Sequence, residues 1–146
     1  MKTICAVAAL FIAVFSGCAH YGEVRSSSDK SVKEACLSWL KLQDEYKYEE
    51  GYDKTAQSFR DNVKKEQWVS DLNSFRKPLG DFKKRKELDI KYENKMPNSP
   101  DGEYAIARYG AIFNNDAVEV FKDNVVIETV ILYKENEWKV SGYWVK

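Results

Sequence analysis

Apolar residues along the chain fall into three regimes, and each regime predicts a different structure. From Ile4 to Phe15 the chain is apolar without a break. From Ser31 to Phe75 apolar positions recur every three or four residues, the spacing of one helix face. After Gly80 they recur at every second position, the spacing of one face of a strand.

The helical regime divides into three. Ser31 with Glu34 three residues on is a capping-box pattern. Val32, Ala35, Cys36, Trp39, Leu40 and Gln43 to Tyr46 then follow a 3.6-residue period, which predicts a first helix of about four turns. A second, shorter helix is expected over Glu49 to Phe59, interrupted at Gly51, with Tyr48, Tyr52, Ala56 and Phe59 turned inward. A third runs from Asp61 to Phe75 on Val63, Trp68, Leu72 and Phe75. Arg76-Lys77-Pro78-Leu79-Gly80 ends it, because proline lacks a donor and glycine accepts turn dihedrals.

In the strand regime Leu88, Ile90 and Tyr92 alternate with Asp89, Lys91 and Glu93. Three further β-type runs follow: Tyr104 to Phe113, Val125 to Tyr133 and Trp138 to Val145. Asn98-Ser99-Pro100-Asp101-Gly102 and Glu135-Asn136-Glu137 supply turns. Helices first and strands afterwards, without alternation, predict an α+β fold: three N-terminal helices packed on an antiparallel sheet of about four strands.

The first regime changes the picture of where the protein lives. Lys2, the apolar run and the small residues Ser16, Gly17, Cys18 and Ala19 have the layout of a secretory signal. A membrane-spanning helix needs about 20 apolar residues, and this run stops short. Phe15-Ser16-Gly17-Cys18 resembles the lipobox of bacterial lipoproteins, with Phe15 where that motif usually has Leu. The resemblance implies a lipid on Cys18, and Ala19 in place of Asp leans towards the outer membrane, facing the periplasm. The other reading is ordinary secretion after cleavage at Ala19, giving a soluble periplasmic or secreted protein. The expected organisation is a signal peptide over residues 1–17, a lipidated tether over 18–30, polar and carrying Ser26, Ser27 and Ser28, and one domain over 31–146.

Lysine plus arginine and aspartate plus glutamate both number 23, so the formal net charge is zero. Removing residues 1–17 takes away only Lys2, leaving 22 basic against 23 acidic side chains, so the chain stays near neutral. A nucleic-acid partner has no electrostatic support, and the membrane is reached only through the N-terminal lipid. Nine Tyr, seven Phe and four Trp suit a packed body rather than a disordered tail. With Cys5 in the leader and Cys18 acylated, Cys36 is left alone on an apolar helix face and is assigned to the core. The one histidine, His20, lies in the tether, which removes the commonest general base from the domain.

Trp39-Leu40 with Asp44, Trp68, Arg76-Lys77-Pro78-Leu79-Gly80 with Arg85, Pro100-Asp101-Gly102-Glu103-Tyr104, Phe113, Glu128-Thr129-Val130 and Trp138 to Tyr143 form an ordered series. Together they resemble the bacterial envelope family known as domain of unknown function four-zero-one-nine, over roughly Ala35 to Val145. Gly110 and Ala111 stand where that family has Thr, and there are extra residues between Asn114 and Val126. The resemblance implies no settled activity, and a fold related to the nuclear-transport-factor-like cone, whose curved sheet and helices enclose a pocket.

Within such a pocket Trp39, Tyr52, Trp68, Tyr92, Tyr104 and Trp144 would bind a flat or apolar ligand. The plainer reading is that they fill the core. Glu128 and Arg108 each interrupt an apolar strand. A carboxylate in an apolar cavity can carry protons, as in the cone-shaped isomerases and dehydratases; otherwise the two side chains face water or each other. Arg76 and Arg85, with Lys77, Lys83, Lys84 and Lys86, would dock an anionic ligand, or form a solvated strand edge that blocks aggregation. Asp101 and Glu103 lack the ligand number of a calcium site. Zinc spacing, a phosphate loop and a serine triad are missing from the sequence, and no cofactor is expected. The functional expectation is a non-catalytic envelope lipoprotein domain that binds a small ligand or another envelope protein. The alternatives are an isomerase or hydratase using Glu128, and a purely structural domain.

Overall fold

Two apolar surfaces make the architecture: a layer of helices and one face of an antiparallel sheet. The computed structural model describes residues 19–114 and 125–146. The leader, Cys18 and most of the extra residues before Val126 lie outside the described residues.

Helix α1 spans Ala19–Asp44, so the chain is already helical where a polar tether was expected, and the helix does not start at Ser31. A nucleated helix gains one backbone hydrogen bond per added residue, and no proline stops it upstream of Ser31. Asp29 fastens this part of α1 to the sheet by accepting a 2.5 Å bond from the Tyr92 hydroxyl. Val32, Cys36, Trp39, Leu40 and Gln43 form the buried stripe. The helix closes with Tyr46 at φ 58. Lys47 N–H bonds Leu42 C=O at 2.8 Å and Tyr46 N–H bonds Gln43 C=O at 3.1 Å. That pair of bonds is a Schellman cap, with tyrosine where glycine is usual.

The expected second helix is two helices, α2 (Tyr48–Asp53) and α3 (Gln57–Asn62), which with α1 and α4 (Lys65–Phe75) makes four α-helices among the described residues. The break lies at Ala56, whose extended backbone gives its N–H to Val140 C=O of the sheet at 2.7 Å. Gly51, expected as the interruption, lies inside α2. It is needed for close approach: a Cβ there would stand 2.2 Å from Gln43 Nε2, and its carbonyl accepts a 2.9 Å bond from Trp39 Nε1. α3 and α4 are divided at the extended Val63, whose carbonyl accepts the Tyr52 hydroxyl at 2.5 Å. A short 3-10 turn, Lys77–Leu79, follows α4 and ends at Gly80 with φ 82.

The sheet is an antiparallel meander in the order β1 (Phe82–Glu93), β2 (Tyr104–Phe113), β3 (Val125–Lys134) and β4 (Trp138–Val145). β1 begins six residues before Leu88, since pairing of Phe82 with Phe113 recruits the basic run into the strand. Irregular register at Phe82/Lys84, Glu87/Asp89 and Ile131/Leu132 marks bulges. One sheet face meets the helices through Ala105, Ala107, Tyr109, Val130, Leu132, Val140 and Tyr143. Trp39, Trp68, Phe59 and Tyr143 join that face to the helices, with ring centroids 5.2 Å apart for Phe59–Trp68 and for Trp39–Tyr143.

Two tests follow from this packing. Gly51→Ala is expected to cost about 1–3 kcal/mol in urea unfolding, and adding Gln43→Ala, which opens space for the new methyl, is expected to recover part of the loss. Burial pushes the Cys36 thiol up to about 12, with the Tyr109 and Tyr143 hydroxyls raised in the same direction by burial. The native state therefore holds these groups neutral, and ionisation favours the unfolded chain. Their stabilisation is complete below a pH of about 9 and is lost as pH rises towards about 12. Urea midpoints measured across that range are expected to be flat at first and then to fall.

Candidate functional site

Five side chains from five different places in the sequence converge at the seam between the main core and a smaller apolar cluster of Leu79, Ala111, Phe113 and Val126. Asp44 is the last residue of α1. Arg76 follows α4, where the chain turns into the 3-10 segment. Arg85 lies on the inner face of β1, Glu128 on that of β3 and Tyr143 on that of β4. Strand alternation puts all three strand residues on the face that meets the helices.

Arg85 bridges the two acids. Its Nη1 and Nη2 each donate to Asp44 at 2.9 Å, and its Nε donates to Glu128 Oε2 at 2.5 Å. Arg76 donates from Nη2 to Asp44 Oδ1 at 2.5 Å and from Nε to the Tyr143 hydroxyl at 3.1 Å. That hydroxyl donates onward to Glu128 Oε1 at 2.8 Å, and Arg76 Nε stands 3.6 Å from the same oxygen. Arg76 and Glu128 are wholly buried, while Arg85 and Asp44 keep side-chain exposures of 6% and 11%. The guanidinium planes lie over phenylalanine rings, Arg76 over Phe113 at 4.2 Å and Arg85 over Phe82 at 4.3 Å. Two cations and two anions thus cancel in a site that water hardly reaches. Arg76 Nη1 has no hydrogen-bond partner among the described residues.

The charge states follow. Burial works to lower the Arg85 guanidinium, but the bonds from Asp44 and Glu128 outweigh it and hold it above the ordinary arginine value. Burial first, and the neighbouring Glu128 charge second, drive the Tyr143 hydroxyl well up, so it stays protonated and donates. Both Glu128 oxygens are held by partners. A proton carrier needs one oxygen open to substrate.

Arg76, Arg85 and Glu128 are brought together here, and the anions that the two arginines bind are the protein's own carboxylates. Arg108 is not part of the site. It lies on the opposite sheet face and forms a bidentate ion pair with Asp89 of β1, so the Glu128–Arg108 pairing does not form. Trp39, Tyr52, Trp68 and Tyr104 are buried in packing contacts, Tyr104 against Tyr133 at 4.9 Å. Tyr92 is half-buried and bonded to Asp29, and Trp144 is 46% exposed. Lys83, Lys84 and Lys86 lie exposed on the edge strand β1. Asp44 and Tyr143 were not among the expected site residues. Their signal was present, since each stands in a quoted family motif at the end of an amphipathic run.

An open groove of about 700 Å3 reaches the solvent side of the network. Leu37 and Phe82 form its apolar walls, Lys41, Glu45 and Asp81 its rim, and the exposed edges of Asp44 and Arg85 its floor. Among the described residues no three His, Cys, Asp or Glu side chains are grouped as a metal site needs.

Removing one member of a buried ion pair leaves a charge without a partner and costs about 3–5 kcal/mol. Tyr143→Phe removes a neutral link and leaves all four charges matched, at a cost of about 1–2 kcal/mol. Urea unfolding of Glu128→Ala, Arg76→Ala and Tyr143→Phe is therefore expected to rank the tyrosine variant as the mildest.

Comparison with curated proteins and with solved structures returns no match. The family model described as Protein of unknown function (DUF4019) matches residues 35–143. That span runs from the buried face of α1 to Tyr143 and takes in all five members of the network. The chain belongs to the DUF4019 family.

Proposed function

We propose that the protein is a lipoprotein of the bacterial cell envelope, anchored through Cys18 to the outer membrane, whose domain is a non-catalytic binding module for a small ligand or another envelope protein. The observation that carries the non-catalytic reading is the closure of the buried network on itself. Its carboxylates and guanidiniums are engaged with one another and brace the helices against the sheet. The groove between α1 and β1 offers the ligand surface, with apolar walls and charges of both signs. The leader, the small residues before Cys18 and the neutral charge support the anchored, extracytoplasmic placement. The fold relation we put forward is to the nuclear-transport-factor-like cone. Helices on one face of a bulged antiparallel meander support it, because bulges bend strands.

Cells expressing the full chain are expected to incorporate labelled palmitate into it, and Cys18→Ala is expected to abolish the label and release the protein from membranes. Equal labelling of the two would refute the anchor. Native mass spectrometry of the detergent-extracted chain is expected to show an added mass that Leu37→Glu, a change at an exposed groove wall, removes.

A further inference from the structure

The two edges of the sheet are built differently. β1, the edge on one side, carries Lys83, Lys84, Lys86 and Lys91 exposed along its length, and such charges keep another strand from pairing with it. β4, the edge on the other side, has no charged residue from Val140 to Val145.

Hydrogen bonding in the ladder decides which main-chain groups of β4 are left open. Ile127 and Lys146 exchange both bonds, N–H to C=O, at 2.8 and 2.9 Å. In an antiparallel pair such exchanges alternate with residue pairs that make none. Register then makes Thr129–Trp144 and Ile131–Gly142 the next bonded pairs and turns the N–H and C=O of Tyr143 and Val145 away from β3. Lys134 N–H on Glu103 C=O at 2.9 Å sets the same phase on the far side of β3, where Val130 and Glu128 bond β2. The outward groups of Tyr143 and Val145 have no partner among the described residues. The open run is short. Ser141 sits in the bulge between Gly142 and Val140, and Val140 C=O is already taken by Ala56 N–H at 2.7 Å.

We infer that this edge is a dimer contact, and that its occupant is the β4 edge of a second copy of this chain, running antiparallel and centred on Trp144. The open groups select both partner and register. They are two donors and two acceptors, one residue to either side of Trp144. Opposing two copies at Trp144 brings Tyr143 of each against Val145 of the other, and every one of these groups is bonded at once. With Tyr143 against Tyr143, or Val145 against Val145, only one pair of open residues meets. Trp144 is 46% exposed, and in the centred register it faces Trp144 of the second copy at a non-bonded position, where Cα atoms are about 4.5 Å apart and side chains come closest. Each exposed indole is then covered by the other. Lys146 faces Gly142 of the second copy rather than another lysine, so like charges are not opposed. The two sheets become one of eight strands, within the size of ordinary open sheets. The contact is small, which makes the dimer weak and concentration-dependent. Neither a lipid anchor nor a ligand in the groove is needed for it.

Sedimentation equilibrium of the detergent-extracted full chain is expected to show a monomer–dimer equilibrium. Trp144→Lys opposes two like charges and is expected to weaken it about tenfold, with thermal melts matching the parent because the side chain is half-exposed in the monomer. Val145→Pro removes a donor that β3 does not use and is expected to weaken the dimer as well. In whole cells treated with copper phenanthroline, Trp144→Cys is expected to give a disulfide-linked band at twice the chain mass. Lys86→Cys on the charged edge, and the unaltered chain, whose Cys36 is buried, are expected to give none. A single monomeric species at all concentrations, an equal disulfide yield at Lys86→Cys, or a Trp144→Cys disulfide to a protein of another mass would each overturn the proposal.

Discussion

Burial of four charges at one point is the constraint on which the remaining structure depends. Taking a guanidinium or a carboxylate out of water costs several kcal/mol, and the cost is recovered only when every partner is in place. Asp44, Arg76, Arg85 and Glu128 come from α1, the turn after α4, β1 and β3, so the network forms only when helices and sheet dock together. Such a cluster contributes less to net stability than apolar packing of the same volume. What it supplies is selection among arrangements. A slip of β3 by one residue would turn Glu128 to the outer face and leave two arginines inside with Asp44 as their one counter-charge.

Several local features serve this meeting point. The Schellman cap at Tyr46 ends α1 at Asp44, and the Tyr46 hydroxyl then donates to Asp81 at 2.8 Å just ahead of β1. Pro78 and Gly80 reverse the chain between the two arginines, which lets Arg76 and Arg85 approach one carboxylate from different elements. Phe82 and Phe113, paired across β1 and β2, place their rings under the two guanidiniums and exclude water from the cationic side. The charge chemistry and the apolar packing are therefore one structure.

The sequence made the strands legible to within a few residues, because alternation and turn residues are local properties. The break at Ala56 was not legible, since it depends on a hydrogen bond to Val140, 84 positions away. The early start of β1 was hidden for a related reason: Lys83 to Lys86 read as a polar run until Phe113 supplies a partner strand. Parity could have separated Glu128 from Arg108. Arg108 pairs with Thr129, so the two lie on opposite faces of adjacent strands. Asp44 and Tyr143 were recognisable only as motif members, because nothing in a single position tells a buried ion-pair partner from a surface carboxylate or a core tyrosine.

The two sides of the sheet have different physical characters, and that difference bears on what the domain does. On the helix side the charges are matched within the chain, although Arg76 Nη1 is left without a hydrogen-bond partner among the described residues: Glu128 is held by Arg85 and Tyr143, and the arginines by Asp44. Little there is left over for an outside molecule except the rim of the α1–β1 groove. On the far side the half-buried isoleucines of β2 and β3 and the exposed Trp144 share the surface with Lys84, Lys86, Asp89, Lys91 and Glu93 of β1 and with Arg108. Unmatched apolar area in water carries a cost in proportion to its size. A chain that keeps it at the centre of a sheet, while bracing the sheet from behind with a neutral charge cluster, presents a stiff surface. Rigidity of that kind lowers the ordering cost of association. It directs the search for function to what this domain holds against its surface, ahead of any chemistry in its interior.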